Sequence, residues 1–190
     1  TVRAGGGSSP GNFTAGDVFV IQNGHSMTTS SAWTVSGTGN KIQIENGGTL
    51  TATYIVATTT FQVDNGGTYV HKAISSSANG AATDIPGTTR SFGASSTVEF
   101  QKWAKASSTS PVALPAVSWG NLKINVDTLG GSWQQSGALA SVQGNLIIAS
   151  TGGTTREFRL NSSTASVVDT IAGDIQITGG ILNVCSGNAS

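Results

Sequence analysis

Apolar residues in this chain alternate with polar ones over short runs, and glycine brackets each run. The recurring phrase is Gly, then Asn or Asp, then the alternation: GDVFVI from Gly16, GNKIQI from Gly39, GNLKIN from Gly120, GNLIIA from Gly144 and GDIQIT from Gly173. A second glycine signal follows several residues later, at Asn23-Gly24, Asn46-Gly47-Gly48, Gly130-Gly131, Gly152-Gly153 and Gly179-Gly180, and Asn65-Gly66-Gly67 closes FQVD in the same way. Alternation with period two predicts β-strands, and Gly beside Asn or Asp predicts tight turns, because these residues tolerate positive φ. No long stretch carries apolar residues at helical spacing, so helices are not expected.

Neighbouring phrases recur at about 20 to 29 residues, the period at which solenoids and other repeat arrays are expected. One coil of such strands cannot bury its apolar side alone, so stacked coils forming parallel sheets are the reading. Val18, Val20, Ile42, Ile44, Leu122, Ile124, Leu146, Ile148, Ile175 and Ile177 make up the expected inward ladders, with Gln43, Lys123 and Gln176 outward. Phe19 and Ile147 break the alternation, which predicts that a loop or a neighbour covers those faces. Residues 73–95 and 104–117 leave the phrase; rich in small residues and holding three of the four prolines, they read as lateral loops. VEF and GNLKIN resume the strand pattern beyond the first loop, so residues 1–190 read as a single domain, with a boundary inside that loop as the rival.

The order GDVFVIQNGHSM, KIQIENGGTLT, FQVDNGGTY, DIPGTT, STVEFQ, WGNLKINV, VQGNLIIAS and IAGDIQITGGIL resembles the right-handed parallel β-helix segments of large Bacteroidetes cell-surface and secreted proteins. The expected fold is therefore all-β, a right-handed parallel β-helix of about six or seven coils with lateral loops. The resemblance implies type IX secretion and an extracellular or outer-surface location. A signal peptide before the helix and a sorting domain after it are implied as well, so the chain is expected to be a fragment of a longer one. The expected role is non-catalytic, a structural or adhesive segment that contacts surface glycans. Two alternatives stand beside it: part of a polysaccharide lyase or hydrolase on a β-helix scaffold, and the subunit of a self-stacking extracellular filament. Asp127-Thr128-Leu129 and Asp169-Thr170-Ile171 resemble the Asp, Thr, apolar signal at which Bacteroidetes attach O-glycans, which makes Thr128 and Thr170 candidate modification sites. The plain alternative for each is an unmodified turn or strand edge.

Composition and charge remove several function classes. Charged residues make up 9% of the chain, and nine Lys and Arg balance nine Asp and Glu. The cations are scattered, whereas nucleic-acid binding needs them clustered. No apolar run approaches the ~20 residues of a membrane-spanning helix, so direct membrane insertion is not expected. The nine acids form no DxD, DD or ExxE group; Glu45 and Asp64, each just before an Asn-Gly turn, are the pair that stacking could bring together. Capping of turn amides is their bland role. No catalytic residue and no cofactor is therefore assigned.

His25 and His71 lack neighbours at metal-ligand spacing, so no metal site is expected and both read as surface or edge residues. Cys185, the sole cysteine, reads as a small buried hydrophobe in ILNVC. Trp103, beside Lys102 and Lys105, is the candidate for stacking on a sugar ring; Trp33 and Trp119 fall inside strand phrases and read as core plugs. Thr58-Thr59-Thr60 and TLTAT from Thr49 are candidates for flat outward threonine ladders. The strand ILNVC lies close to the C-terminal end without a polar capping coil. Further coils of the same polypeptide, or another copy, are expected to cover that end.

Overall fold

The computed structural model describes residues 2–3, 13–73, 79–104, 111–161 and 167–185. The chain opens with β1 (Val2–Arg3) and then lays down strands in recurring groups. The first group is β2 (Val18–Ile21), β3 (Ser26–Thr28) and β4 (Trp33–Thr34); the second is β5 (Lys41–Ile44), β6 (Thr49–Ala52) and β7 (Val56–Ala57). Two pairs follow, β8 (Thr60–Val63) with β9 (Thr68–His71), and β10 (Thr89–Phe92) with β11 (Thr97–Phe100). Three triplets complete the order: β12 (Ser118–Trp119), β13 (Asn121–Val126) and β14 (Trp133–Gln134); β15 (Ser141–Val142), β16 (Leu146–Thr151) and β17 (Phe158–Asn161); β18 (Thr170–Ile171), β19 (Ile175–Ile177) and β20 (Leu182–Cys185). A short 3-10 turn at Ala82–Asp84 is the one helical element among the described residues.

Successive strands of a group fall in different sheets, and the next group adds its strands alongside. One sheet runs β1-β2-β5-β8-β10 and a seven-stranded sheet runs β3-β6-β9-β11-β13-β16-β19; smaller sheets are β12-β15-β18, β14-β17-β20 and β4-β7. Every pairing in these sheets is parallel. The expectation of an all-β fold with parallel sheets holds.

Register stacks like on like. Ile42 pairs with Phe19 and with Phe61, and Leu122 pairs with Val98 and with Leu146, so each inward column is apolar along its length. Ile42, Ile44, Leu122, Ile124, Leu146 and Ile148 are each 0% exposed. Full burial of such a side chain stabilises by roughly 1.5–3 kcal/mol relative to leaving it in water, which explains how a chain with few charges and one cysteine holds together.

Three sequence expectations need correction. In β2 the inward residues are Phe19 and Ile21, buried at 2% and 1%, while Val18 is 37% exposed. Register gives the reason: Phe19 is opposite Ile42 and Val18 opposite Lys41, so Phe19 fills the core column and interrupts nothing. The expected loop at residues 73–95 contains a strand, since Thr89–Phe92 pairs along the whole of β8. Within the second expected loop, residues 105–110 lie outside the described residues. Residues 111–117 carry no strand, but they are packed inward: Pro111 and Leu114 are buried, and the Val112 carbonyl accepts from the indole N–H of both Trp103 and Trp133 at 2.7 Å.

The turns stack as well as the strands. Gly47 and Gly66 have φ of +73° and +77°, and a Cβ on either would overlap the Oδ1 of Asn23 or Asn46 in the preceding turn. Glycine is required at these positions by both backbone sign and close approach. Farther along, Asn121 Oδ1 accepts from the Asn145 N–H at 2.9 Å, and Asn145 Oδ1 accepts from the Asp174 N–H at 2.8 Å. Asparagine thus satisfies backbone donors of the next turn, which a plain loop would leave to water.

Candidate functional site

The turns between β2 and β3, β5 and β6, and β8 and β9 line an open cleft of about 650 Å³. Backbone hydrogen bonds fix its rows: Glu45 N–H donates to the Ile21 carbonyl, Asp64 N–H to Ile44, and Gly93 N–H to Val63, each at 2.8–2.9 Å. Glu45, Asp64 and Gly93 therefore share one column, and Asn46 and Asn65 stand in the next. At Gly93 the column loses its side chain. Asp64, Asn65 and Ser91 share the cleft lining with Gly93.

Asp64 is held from two sides. Gln43 Nε2 donates to one carboxylate oxygen at 2.6 Å and Gln62 Nε2 to the other at 2.5 Å, while Lys41 Nζ donates to Gln62 Oε1 at 3.3 Å. Asn65 Oδ1 accepts from the Ser95 N–H at 3.1 Å. The two carboxylates expected to approach each other are thus brought to one cleft, in a setting of amides and hydroxyls. Planar amide and carboxylate groups at strand spacing suit a neutral polyhydroxyl ligand, which offers both donors and acceptors. Among the described residues, no group of three or more His, Cys, Asp or Glu could hold a metal ion.

Trp103 does not face solvent. It is 0% exposed, stacked on Trp133 with ring centroids 5.1 Å apart and meeting Phe100 edge-on. Its neighbour Lys105 lies outside the described residues. The sugar-platform expectation is corrected on physical grounds: a ring enclosed by aromatic neighbours, with its N–H already donated to Val112, has no face left for a ligand. Trp33 and Trp119 are buried too, as core plugs should be, at 2% and 0%.

His71 overturns the surface expectation while His25 is exposed. His71 is completely buried, its Nδ1 2.9 Å from the Tyr69 hydroxyl and its ring beside Phe100 and Trp103. Burial pushes its pKa down to about 4, opposed in part by the Ala73 backbone, although Nε2 has no partner of ordinary hydrogen-bond geometry. Burial likewise raises the Tyr69 hydroxyl, with nearby Arg90 opposing and Asp84 adding to the rise. Residues 69 and 71 of one strand share a face, which brings the hydroxyl and the imidazole together in the core.

The remaining candidates separate. Thr128 and Thr170 are both exposed, Thr128 just beyond β13 and Thr170 at the start of β18. Asp127 pairs with Lys102 at 3.8 Å, whereas Asp169 has a buried Oδ1 without a partner and a carboxyl raised by desolvation. Cys185 is exposed at the end of β20, contrary to the buried expectation, because β20 is the last strand of its sheet. Thr49, Thr68 and Thr97 do align in one row, but the companion row reads Thr51, Val70 and Glu99, so the threonine ladder is a single file.

Ser91 in the cleft lining and the glutamines that hold Asp64 escaped the sequence reading, which saw Gln43 only as an outward residue. Their signal was the shared spacing of Gln43 and Gln62 ahead of their Asn-Gly turns. In comparisons with protein-family models, curated proteins and solved structures, nothing matches this chain.

Proposed function

We propose that the parallel sheets wind into a right-handed parallel β-helix, and that the chain is a non-catalytic structural or adhesive segment of an exported protein at the outer cell surface. The observation supporting this reading is the continuous seven-stranded parallel sheet from β3 to β19, interrupted in register by one bulge after Ile124, with the Asp64 carboxylate tied between two glutamine amides. A scaffold gains from such ties, whereas general acid/base chemistry needs a carboxyl free to exchange its proton. Surface glycans are the proposed ligand, contacting the Asn46, Asp64 and Asn65 cleft in place of buried Trp103. Type IX export and O-glycans at Thr128 and Thr170 belong to the same proposal, supported by the resemblance of the strand phrases and by the exposure of both threonines.

Binding measured by calorimetry against neutral and anionic glycans tests the reading. The expected result is weak, calcium-independent binding of a neutral glycan that Asn46→Ala with Asn65→Ala abolishes, and no turnover of pectin or alginate. A second reading, a polysaccharide-active enzyme, is favoured by Glu45 and Asp64 sharing one cleft at the ends of the adjacent strands β5 and β8. Turnover that disappears in Glu45→Gln or Asp64→Asn would establish the enzyme and remove the scaffold reading. Mass spectrometry of native protein with no added mass at Thr128 and Thr170 would remove the glycosylation component alone.

A further inference from the structure

The three consecutive turns that line the cleft carry one dipeptide, Asn23-Gly24, Asn46-Gly47 and Asn65-Gly66. Asparagine is chemically labile, and a glycine after it removes the side chain that would hinder attack by the next backbone nitrogen. In that attack a bond forms from the Gly nitrogen to the Asn Cγ, the Cγ–Nδ2 bond breaks, and ammonia leaves with the proton of the Gly N–H. Water then opens the resulting succinimide, to Asp or to isoaspartate, whose extra methylene lengthens the turn. Water is the sole co-reactant, and all three asparagines are exposed to it. The stacked turns oppose the first step. Gly24 N–H donates to the Gly47 carbonyl at 3.2 Å, Gly47 N–H to Gly66 at 3.1 Å and Gly66 N–H to Ser95 at 3.3 Å, so each attacking nitrogen is engaged by the turn of the following coil. The carboxamides are engaged there too: the Oδ1 of Asn23, Asn46 and Asn65 lies where a Cβ on Gly47, Gly66 or Gly93 would overlap it. Asn65 has a further tie, because its Oδ1 accepts from the Ser95 N–H at 3.1 Å.

We propose that these turns are latent modification sites, each guarded by the turn that follows it, and that Asn23 and Asn46 convert to Asp or isoaspartate ahead of Asn65. Ring closure has to free the glycine nitrogen and the carboxamide together, so it proceeds from the fraction of molecules in which the following turn has lifted. The order comes from the guards. Ser95 holds the last pair at both reacting groups, accepting from Gly66 N–H and donating to Asn65 Oδ1, whereas the turns at Gly47 and Gly66 hold the nitrogen by a hydrogen bond and the carboxamide by contact. Conversion at Asn23 or Asn46 would add a carboxylate to the cleft that already holds Glu45 and Asp64, so the cleft turns more acidic wherever its turns have opened. The inference rests on turn geometry, and its failure would leave the scaffold and glycan readings untouched.

Peptide mapping by mass spectrometry, during incubation of the 190-residue chain at mildly alkaline pH, reads the conversion of each pair in buffer and in urea. Dividing each rate in buffer by the same pair's rate in urea removes the effect of flanking sequence. The expected ratio is about a tenth or less for all three pairs, and smallest for Asn65. Gly93→Ala is the selective variant: its Cβ would meet Asn65 Oδ1 at 2.6 Å and the Asn65 nitrogen at 2.7 Å, which pries the guarding turn away. Conversion at Asn65 should then become at least as fast as at Asn46, with Asn23 unchanged and circular dichroism confirming that the sheets persist. Rates in buffer equal to those in urea would overturn the guard. An Asn65 ratio equal to or above that of Asn46 in the wild type would overturn the order, as would an Asn65 rate that a folded Gly93→Ala leaves unmoved; if that variant does not fold, the wild-type ratios decide by themselves.

Discussion

Leu146 and Ile148 in β16, set against Ile175 and Ile177 in β19, are the same kind of residue in the same columns of one sheet, yet one pair is sealed and the other stands in solvent. The difference lies in the neighbours: β16 has β13 on one side and β19 on the other, whereas β19 has β16 alone. In a repeat structure the inside is thus a property of being between two layers, and identical phrases such as GNLIIA and GDIQIT do not carry identical energies.

The largest test of that contrast uses one substitution at both places. Leu146→Asp buries a carboxylate among Leu122, Ile148 and their neighbours and should cost about 3–5 kcal/mol, enough to unfold part of the sheet. Ile175→Asp, at 48% exposure, should cost under about 1 kcal/mol in the monomer. Urea unfolding of the two variants measures both; similar losses would mean that β19 is covered. A parallel contrast in β2 comes next: Phe19→Ala should cost about 3–4 kcal/mol and Val18→Ala about 0.5 kcal/mol or less. The reverse order would restore the sequence-derived facing of that strand.

The Val18 case marks where sequence was legible and where it was not. Strand class, turn chemistry and parallel stacking followed from period-two alternation and from glycine beside Asn. Facing in GDVFVI did not, because all four strand residues are apolar and periodicity alone cannot choose between Val18 with Val20 and Phe19 with Ile21. Alignment to GNKIQI, where Lys41 and Gln43 must face out, resolves it. Trp103 failed for another reason. Neighbouring lysines suggested exposure, but Val112, nine residues on across the second loop, supplies the acceptor that lets the indole enter the core. Cleft residues were half legible: Glu45 and Asp64 could be paired by their turns, but the side-chain gap opened by Gly93 depends on pairing across a long interruption.

A smaller effect comes from acid. His71 is neutral when buried, with a pKa near 4, and binds a proton near 6.5 once the chain unfolds. The unfolded state therefore holds more protons between those values, so stability falls as pH drops from 6.5 to about 4, by about 3 kcal/mol in all. The rings of Tyr69, Phe100 and Trp103 stand beside His71, and Asp84 and Arg90 lie near enough to influence Tyr69. Thermal melts across that interval should show the slope in the wild type and a flatter one in His71→Leu. Equal slopes would mean that the imidazole reaches water. The ordinary carboxylate transition falls lower: Glu99 is burdened by burial, yet hydrogen bonds from Asn125 and Gln101 and the charge of Lys123 hold its pKa below the usual range.

The smallest expected effect compares two lysines that a charge count would treat alike. Lys102 approaches Asp127 at 3.8 Å, with side chains 39% and 60% exposed; Lys123 approaches Glu99 at 3.4 Å, with side chains 32% and 12% exposed. Water and salt screen the first pair, and exposed pairs of this kind contribute between nothing and about 1 kcal/mol. Lys102→Glu should therefore leave the unfolding midpoint where it is. Glu99 is different because three groups converge on its carboxylate, Asn125 at 2.7 Å, Gln101 at 3.0 Å and Lys123. Replacing Lys123 by Glu removes one partner and adds a repelling charge, but leaves the two amides in place. The loss should stay near 1 kcal/mol, shrink in high salt, and appear as a rise in the Glu99 pKa followed by NMR. A Glu99 that titrates unchanged in Lys123→Glu would show that the amides alone hold the carboxylate, and that the column from β11 to β13 is tied by hydrogen bonds without help from charge.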